Sequence, residues 1–391
     1  MVLRKIGDGV FFLPSIDWDR RLFDSLIPLP DGTTYNAYLI EGSEKTALLD
    51  TADLKMRDSF LSSLKEIKRI DYLIAHHGEQ DHSGLIPDVL ERYPETKLVV
   101  SSKGKEILLV HLPIDEERVK VVEDGETLDL GGKTLQFIYT PWVHWPETMV
   151  TYLQEENILF SCDFFGLHLA TSETFVRGTY PLEAAKRYFA EIMMPFSPII
   201  QKNLEKIKSL KISLIAPSHG PIWGDPDLIM ERYRQWTGEK GENKVLIPFV
   251  SMHDSTRIMV DYLSDALIER GVQVERFELP HTDLGRIAMG LVEAPTLILG
   301  TPTVLAGAHP YAAFAAFLVN ALRPRLRFVS LVGSYGWGGK TVEQISGLLG
   351  NLKVEILEPV LARGFPRESD FKALDRLADS VLESHRKEGI I

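Results

Sequence analysis

The segment His77-Gly78-Glu79-Gln80-Asp81-His82 sets four residues of metal-ligating type in one short stretch, directly after the apolar run Tyr72-Leu73-Ile74-Ala75. Such a run predicts a strand, and where a strand gives way to a loop several side chains can turn toward one point. A lone His or Asp at a strand end is ordinarily a cap, but the pattern H-x-E-x-D-H reads as a ligand set. Three later fragments repeat the placement. His144 lies beyond the strand-like run Leu135-Gln136-Phe137-Ile138-Tyr139, Asp163 closes Ile158-Leu159-Phe160, and His219 follows Ser213-Leu214-Ile215-Ala216. His77, Glu79, Asp81, His82, His144, Asp163 and His219 together offer four imidazoles and three carboxylates. That exceeds what one tetrahedral zinc takes, and it suits two metal ions sharing a bridging carboxylate. His76 should point away from His77, as successive strand residues do, and serve as a supporting or structural residue. Cys162 reads as a buried small residue. His168, Tyr188 and Phe189 carry no positional signal of their own.

These fragments need a scaffold whose strand ends meet. Before residue 237, strand-like runs alternate with helical stretches such as 56–67, and the hydrophobic period switches between about 2 and 3.6. Turns at Asp124-Gly125 and Gly131-Gly132 predict antiparallel hairpins, so this half reads as mixed sheets with outer helices. The polar, glycine-containing stretch from Thr237 to Lys244 predicts a domain break, giving domains at 1–240 and 244–391. Beyond it, strands expected at 245–250, 272–277, 296–299, 327–332 and 353–356 alternate with helices at 256–270, 284–291, 309–321, 340–349 and 368–386. That rhythm implies a five-stranded, doubly wound parallel sheet with ligands at the strand carboxyl ends. Pro248 sits awkwardly in its first strand, since proline donates nothing to a ladder.

The strand-end loops of this second half form another constellation. Ser251, His253, Ser255 and Thr256 occupy the turn before a helix, where backbone N–H groups and hydroxyls can cradle a phosphate without Lys or Arg. Plain helix capping is the alternative reading of that turn. Thr301, Pro302, Thr303 and Gly307 follow the third strand, and Ser334, Tyr335, Gly336, Trp337 and Gly338 follow the fourth. They resemble the loops by which flavodoxins hold an isoalloxazine ring, with glycine admitting the backbone and an aromatic available to stack. A single phosphate cradle, with no G-x-G-x-x-G after the first strand, favours FMN over a dinucleotide. Asp254 beside the cradle and the apolar Val304-Leu305-Ala306 depart from what such loops usually carry.

Composition narrows the setting. The chain has 391 residues, enough for two or three domains, with 43 Lys+Arg against 55 Asp+Glu and a net charge of -12. No basic cluster offsets that charge, which argues against nucleic acid as a partner. The single cysteine excludes an internal disulfide and a four-cysteine iron site, fitting a reducing cytoplasm. The N-terminus lacks the uninterrupted apolar core of a signal peptide, and no run is long enough to span a membrane, so a soluble cytoplasmic protein is expected.

On these motifs, residues 1 to about 236 resemble the metallo-β-lactamase superfamily, a four-layered αββα sandwich with metals where strands end. Zinc hydrolases of that fold usually read H-x-H-x-D-H. Glu79 in the second position is instead similar to the flavodiiron proteins, as is the flavodoxin-like half that follows. The resemblance implies two non-haem irons, one held by His77, Glu79 and His144, the other by Asp81, His82 and His219, with Asp163 bridging. It implies FMN in the second domain and reduction of dioxygen to water, nitric oxide to nitrous oxide, or both. It further implies an external donor such as rubredoxin, a reductase or a reduced deazaflavin, and a head-to-tail homodimer or dimer of dimers. The alternatives are a dizinc hydrolase in which Asp81 positions water, and a flavin carrier whose first domain is a metal-free scaffold.

Overall fold

The computed structural model describes residues 3–391, which separate into two compact units: 3–189 with Phe196–Thr237, and Ala190–Pro195 with Gly238–Ile391. Met1 and Val2, at the start of the expected first domain, lie outside the described residues.

The first unit is built on two sheets. A seven-stranded sheet runs in the order Arg4–Gly7, Val10–Asp17, Thr33–Glu41, Thr46–Leu49, Tyr72–Ile74, Lys97–Val100, Val119–Val121. A five-stranded sheet runs Thr127–Asp129, Thr134–Tyr139, Met149–Leu153, Ile158–Cys162, Leu214–Pro217. Strand pleating sorts neighbouring apolar residues into two cores. Ile40, Leu49, Ile74 and Val99 face Phe137, Met149, Leu153 and Phe160 of the other sheet. Their neighbours Leu39, Leu48, Leu73 and Leu98 pack instead with Phe60, Ile86, Val89 and Leu108 of the outer helices. Each such side chain removed from water contributes about 1.5–3 kcal/mol, so a strand apolar on both faces is stable only as an inner layer. On the far side of the five-stranded sheet, helices Tyr180–Tyr188, Ser197–Ile207 and Pro226–Thr237 bury one face each, completing the four-layered αββα sandwich.

Two features of this unit differ from the sequence expectation. Asp124-Gly125 does not close a hairpin: the strand before it pairs parallel with Lys97–Val100, whereas the strand after it opens the other sheet. Val122 and Leu128 are both buried between the sheets, so the chain must cross there from one to the other. Gly131-Gly132 does close a hairpin, with φ of 87° and 72°. The N-terminal hairpin of Arg4–Gly7 and Val10–Asp17 was not anticipated, and it forms one edge of the larger sheet.

The second unit is a doubly wound parallel sheet in the order Gln273–Glu278, Lys244–Phe249, Thr296–Gly300, Phe328–Tyr335, followed by two short segments in the fifth place. Glu355–Ile356 and Val360–Arg363 both pair with Phe328–Tyr335, so the expected strand at 353–356 is split. Pro359 lies in the break, where it has no N–H to give the ladder. Pro248 lies inside a strand flanked on both sides, with register kept to Phe277 and, through Phe249, to Gly300. Among the described residues, no helix is long and apolar enough to cross a membrane.

Candidate metal centre and flavin cavity

His77 and Glu79 occupy the loop between strand Tyr72–Ile74 and the single helical turn Gln80–Ser83, which carries Asp81 and His82. That turn is pinned from both sides: Thr51 donates through its amide at 2.8 Å and its hydroxyl at 2.6 Å to the His82 carbonyl, and Ser83 Oγ donates to the Gly78 carbonyl at 2.9 Å. His144 sits in a loop closed by Trp142 N–H to the Trp145 carbonyl at 2.6 Å. Asp163 follows strand Ile158–Cys162, and His219 follows Leu214–Pro217, where Asn36 Nδ2 donates to the carbonyls of Pro217 and Gly220.

All seven predicted ligands converge in two groups. The ligand atoms of His77, Glu79, His144 and Asp163 lie within 4.8 Å of one another, as do those of Asp81, His82 and His219. Asp163 belongs to both neighbourhoods, one oxygen to each. Its Oδ2 is 3.5 Å from both His77 Nε2 and His144 Nε2, while its Oδ1 is 3.1 Å from His82 Nε2 and 3.3 Å from His219 Nε2. Glu79 Oε2 lies 3.1 Å from His77 Nε2 and 3.3 Å from His144 Nε2; Asp81 offers Oδ1 to His82 at 3.3 Å and Oδ2 to His219 at 3.2 Å.

Close approach without pairing tests whether this set fits metal. Both oxygens of Asp81, Oδ2 of Asp163 and both ring nitrogens of His82 are buried with no hydrogen-bond partner among the described residues. Buried polar atoms are normally satisfied, and atoms aimed at a shared centre rather than at each other are the donor set of a cation. Charge agrees. Burial pulls His144 and His219 toward the neutral form, yet the carboxylates close to their ring nitrogens, Asp163 with Glu79 or Asp81, outweigh it and leave their pKa values at about 9 and about 10. Burial likewise opposes ionisation of Asp163, but the surrounding imidazoles of His82, His144 and His219 hold its carboxyl well below the usual range. The cluster therefore demands positive charge, as protons or as metal ions.

The surroundings fix ring orientation. His77 Nδ1–H donates to Glu147 Oε1 at 2.7 Å, and His219 Nδ1–H to the Thr34 carbonyl at 2.6 Å. Ser218 Oγ donates to Asp163 Oδ1 at 3.1 Å. His76 turns away and joins Asp50 Oδ2 at 2.6 Å to Thr151 Oγ1 at 2.7 Å, linking the two sheets. Cys162 is buried, and burial pushes its thiol well up, so it stays protonated. His168 and Tyr188 turn out to be neighbours of the site. The His168 ring centre lies 4.7 Å from that of His219, tilted to it, and 4.9 Å from that of Tyr188, which it meets edge-on, and burial beside His219 holds it neutral. Phe189 packs away from the cluster on Tyr233 and Trp236. Glu147, Thr34 and Ser218 were missed, because an isolated Glu, Thr or Ser has no spacing signature.

In the second unit, a cavity of about 320 Å³ opens at the strand carboxyl ends. Ser251, His253, Ser255 and Thr256 line it from the first loop, Pro302 and Thr303 from the next, and Ser334, Tyr335, Gly336 and Trp337 from the third, with Met252 and Gly364 unforeseen. Gly338 lines an adjoining cavity of about 250 Å³ that shares Thr303 and Tyr335. Thr301 and Gly307 do not line either of these cavities. Thr301 is fully buried, its hydroxyl accepting from the His309 amide, and Gly307 lies in a two-residue strand against Gln344. Asp254 faces solvent in a left-handed turn (φ 59°), its carboxylate 3.3 Å from Arg257, so its charge is directed away from the cradle. Leu305 stands 95% exposed at a hairpin tip. Hydroxyls and N–H groups at the start of the long helix Ser255–Glu269, with an 86% exposed Trp337 at the rim, suit a phosphorylated, planar ligand.

A donor set for two metals at the strand ends of an αββα sandwich, with a doubly wound mononucleotide-type domain in the same chain, defines a two-domain redox protein of metallo-β-lactamase and flavodoxin-like parts. Residues 33–220 match the family described as ODP family beta lactamase. The chain is 34% identical to the nitric oxide reductase of Moorella thermoacetica, over 96% of this chain and 97% of that one. It is 33% identical to the coenzyme F420H(2) oxidase of Methanothermobacter marburgensis, over 88% and 89%. Its structure matches that of rubredoxin oxygen:oxidoreductase from Desulfovibrio gigas with a TM-score of 0.94 and 31% identity, covering 98% and 99% of the two chains. The chain belongs to the flavodiiron proteins, a family of oxidoreductases.

Proposed function

We propose that this chain reduces dioxygen to water, nitric oxide to nitrous oxide, or both, using a diiron site and FMN. The observation that carries the reading is the division of Asp163, whose two oxygens face two separate donor groups. His77, Glu79 and His144 would hold one iron, Asp81, His82 and His219 the other, with Asp163 shared. When bound, iron and flavin supply the electrons and the open coordination positions at which a diatomic gas is reduced. The protein's part is geometric and electrostatic. Glu79, Asp81 and Asp163 bring three negative charges to compensate the cations. The Thr34 carbonyl and Glu147 hold two imidazoles in the tautomer that leaves Nε2 free, and His168 adds no charge. Ser251, Ser255 and Thr256 would cradle the flavin phosphate while Trp337 covers its ring.

The names of the relatives support an external donor such as rubredoxin or a reduced deazaflavin, with a reductase also compatible. Family membership supports a head-to-tail homodimer or dimer of dimers as the working unit, and a single buried cysteine supports a cytoplasmic setting. Metal analysis with an absorption spectrum tests the proposal: about two irons and one FMN per chain are expected after iron-supplemented expression. Stoichiometric zinc with negligible iron would favour the hydrolase instead.

A further inference from the structure

The two donor groups are alike in composition. Each has two imidazoles and one carboxylate of its own, and each takes one oxygen of Asp163. The ligand types differ only in Glu79 against Asp81, both carboxylates, so the larger difference between the two positions is what stands behind them.

Behind His77 stands an anion. Glu147 is 3% exposed, and its Oε1 accepts both His77 Nδ1–H at 2.7 Å and the Gly78 amide at 2.9 Å. Its Oε2 is buried with no hydrogen-bond partner, so the carboxylate spends its polar contacts on the His77 loop. Ser101 Oγ anchors the same residue by donating to its carbonyl at 2.7 Å. The approach requires glycine at 78, where a Cβ would meet Ile107 Cγ2 at 2.7 Å and Glu147 Oε1 at 3.2 Å. Among the described residues, the other group has no counterpart. The remote nitrogen of His219 meets the neutral Thr34 carbonyl, and that of His82 has no partner.

We infer that Glu147 is a positioning residue that makes the two metal positions unequal, strengthening His77 as a donor so that its position binds metal more tightly. A carboxylate accepting the Nδ1 proton pushes electron density onto Nε2 and locks the tautomer, and such partners change metal affinity about 10- to 100-fold. The same effect favours the higher oxidation state at that position. This inference rests on the dinuclear reading above.

The test titrates metal-free full-length chain with Co²⁺, followed by visible absorption and calorimetry, in wild type, Glu147→Gln and Glu147→Ala. Glu147→Gln keeps an oxygen that can accept both N–H groups and removes only the charge. It is expected to weaken the tighter of two binding steps about tenfold, and Glu147→Ala up to about 100-fold, with the other step within about twofold of wild type. In iron-loaded Glu147→Gln, one Mössbauer doublet should move and the other stay. Circular dichroism of the metal-free variants confirms that they are folded. If Glu147→Gln equals wild type at both steps, or both steps weaken in parallel, the role of Glu147 is overturned while two-metal binding stands. A wild-type chain that takes up fewer than two Co²⁺ overturns the dinuclear reading and this inference with it.

Discussion

Replacing Asp163 by Asn removes one negative charge while preserving shape. Asp163 is 1% exposed, and its oxygens lie 3.1–3.5 Å from the nitrogens of four imidazoles, so solvent does little to screen it. A unit charge about 3.3 Å from another interacts by about 5 kcal/mol at an effective dielectric of about 20. Part of that is recovered because the neutral amide is easier to bury, and removing one member of a buried charged set typically leaves a net loss of about 3–5 kcal/mol. At about 1.4 kcal/mol per factor of ten, retention of at least one metal ion should fall roughly a hundred- to several-thousand-fold. The flavin cavity lies in the other unit and should be unaffected. The assay is threefold: iron by metal analysis, FMN by absorption, and anaerobic reduction by an artificial donor followed by rapid mixing with dioxygen or nitric oxide. Asp163→Asn should keep FMN and its reduction but lose iron and turnover of both gases. Cys162→Ala, one residue away, should cost only packing. An Asp163→Asn protein that holds two irons and turns over near the wild-type rate would refute the bridging role.

Metal-free protein should show a distinctive pH response. His144 and His219, raised to about 9 and about 10 from an ordinary value near 6.5, contribute stability that is complete below about pH 6.5 and lost as pH rises through those values. At about 1.36 kcal/mol per unit, His144 alone accounts for about 3 kcal/mol, so the apo melting temperature should fall between pH 6.5 and 9.5 while the metal-loaded protein changes little. A flat or rising apo profile would contradict the charge argument. In the second unit, Gly333→Ala would place a Cβ 1.9 Å from the Thr301 carbonyl oxygen, forcing apart the strand ends that carry two of the cavity loops. FMN affinity by fluorescence titration should drop at least about tenfold, with iron content unchanged; wild-type affinity would sink that account.

The seven converging residues were legible because chemistry and position coincide: each follows an apolar strand, and four fall within the segment His77–His82. The partners behind them were not. Glu147 is one carboxylate in Trp145-Pro146-Glu147, and only the fold reveals that Gly78 leaves room for it. Turn residues likewise mark where a chain bends without saying which sheet receives it. Asp124-Gly125 and Gly131-Gly132 look alike in sequence, yet only the second joins paired strands. The alternating rhythm of the second half gave the strand order its material, but Pro359 split the last strand in a way periodicity does not register. Thr301 misled for another reason: a hydroxyl at a strand end can serve the backbone of its own loop, and this one accepts from His309.

The seven converging residues come from both sheets, from His77 after an inner strand of one to His219 after the last strand of the other. Ions held there would act as clasps closing a loop of roughly 140 residues, a closure whose chain entropy is worth on the order of 4 kcal/mol. Emptied of metal, the same domain would open more often and meet proteases more often. Limited proteolysis of chelated against loaded chain measures that difference directly, and equal rates would dismiss it.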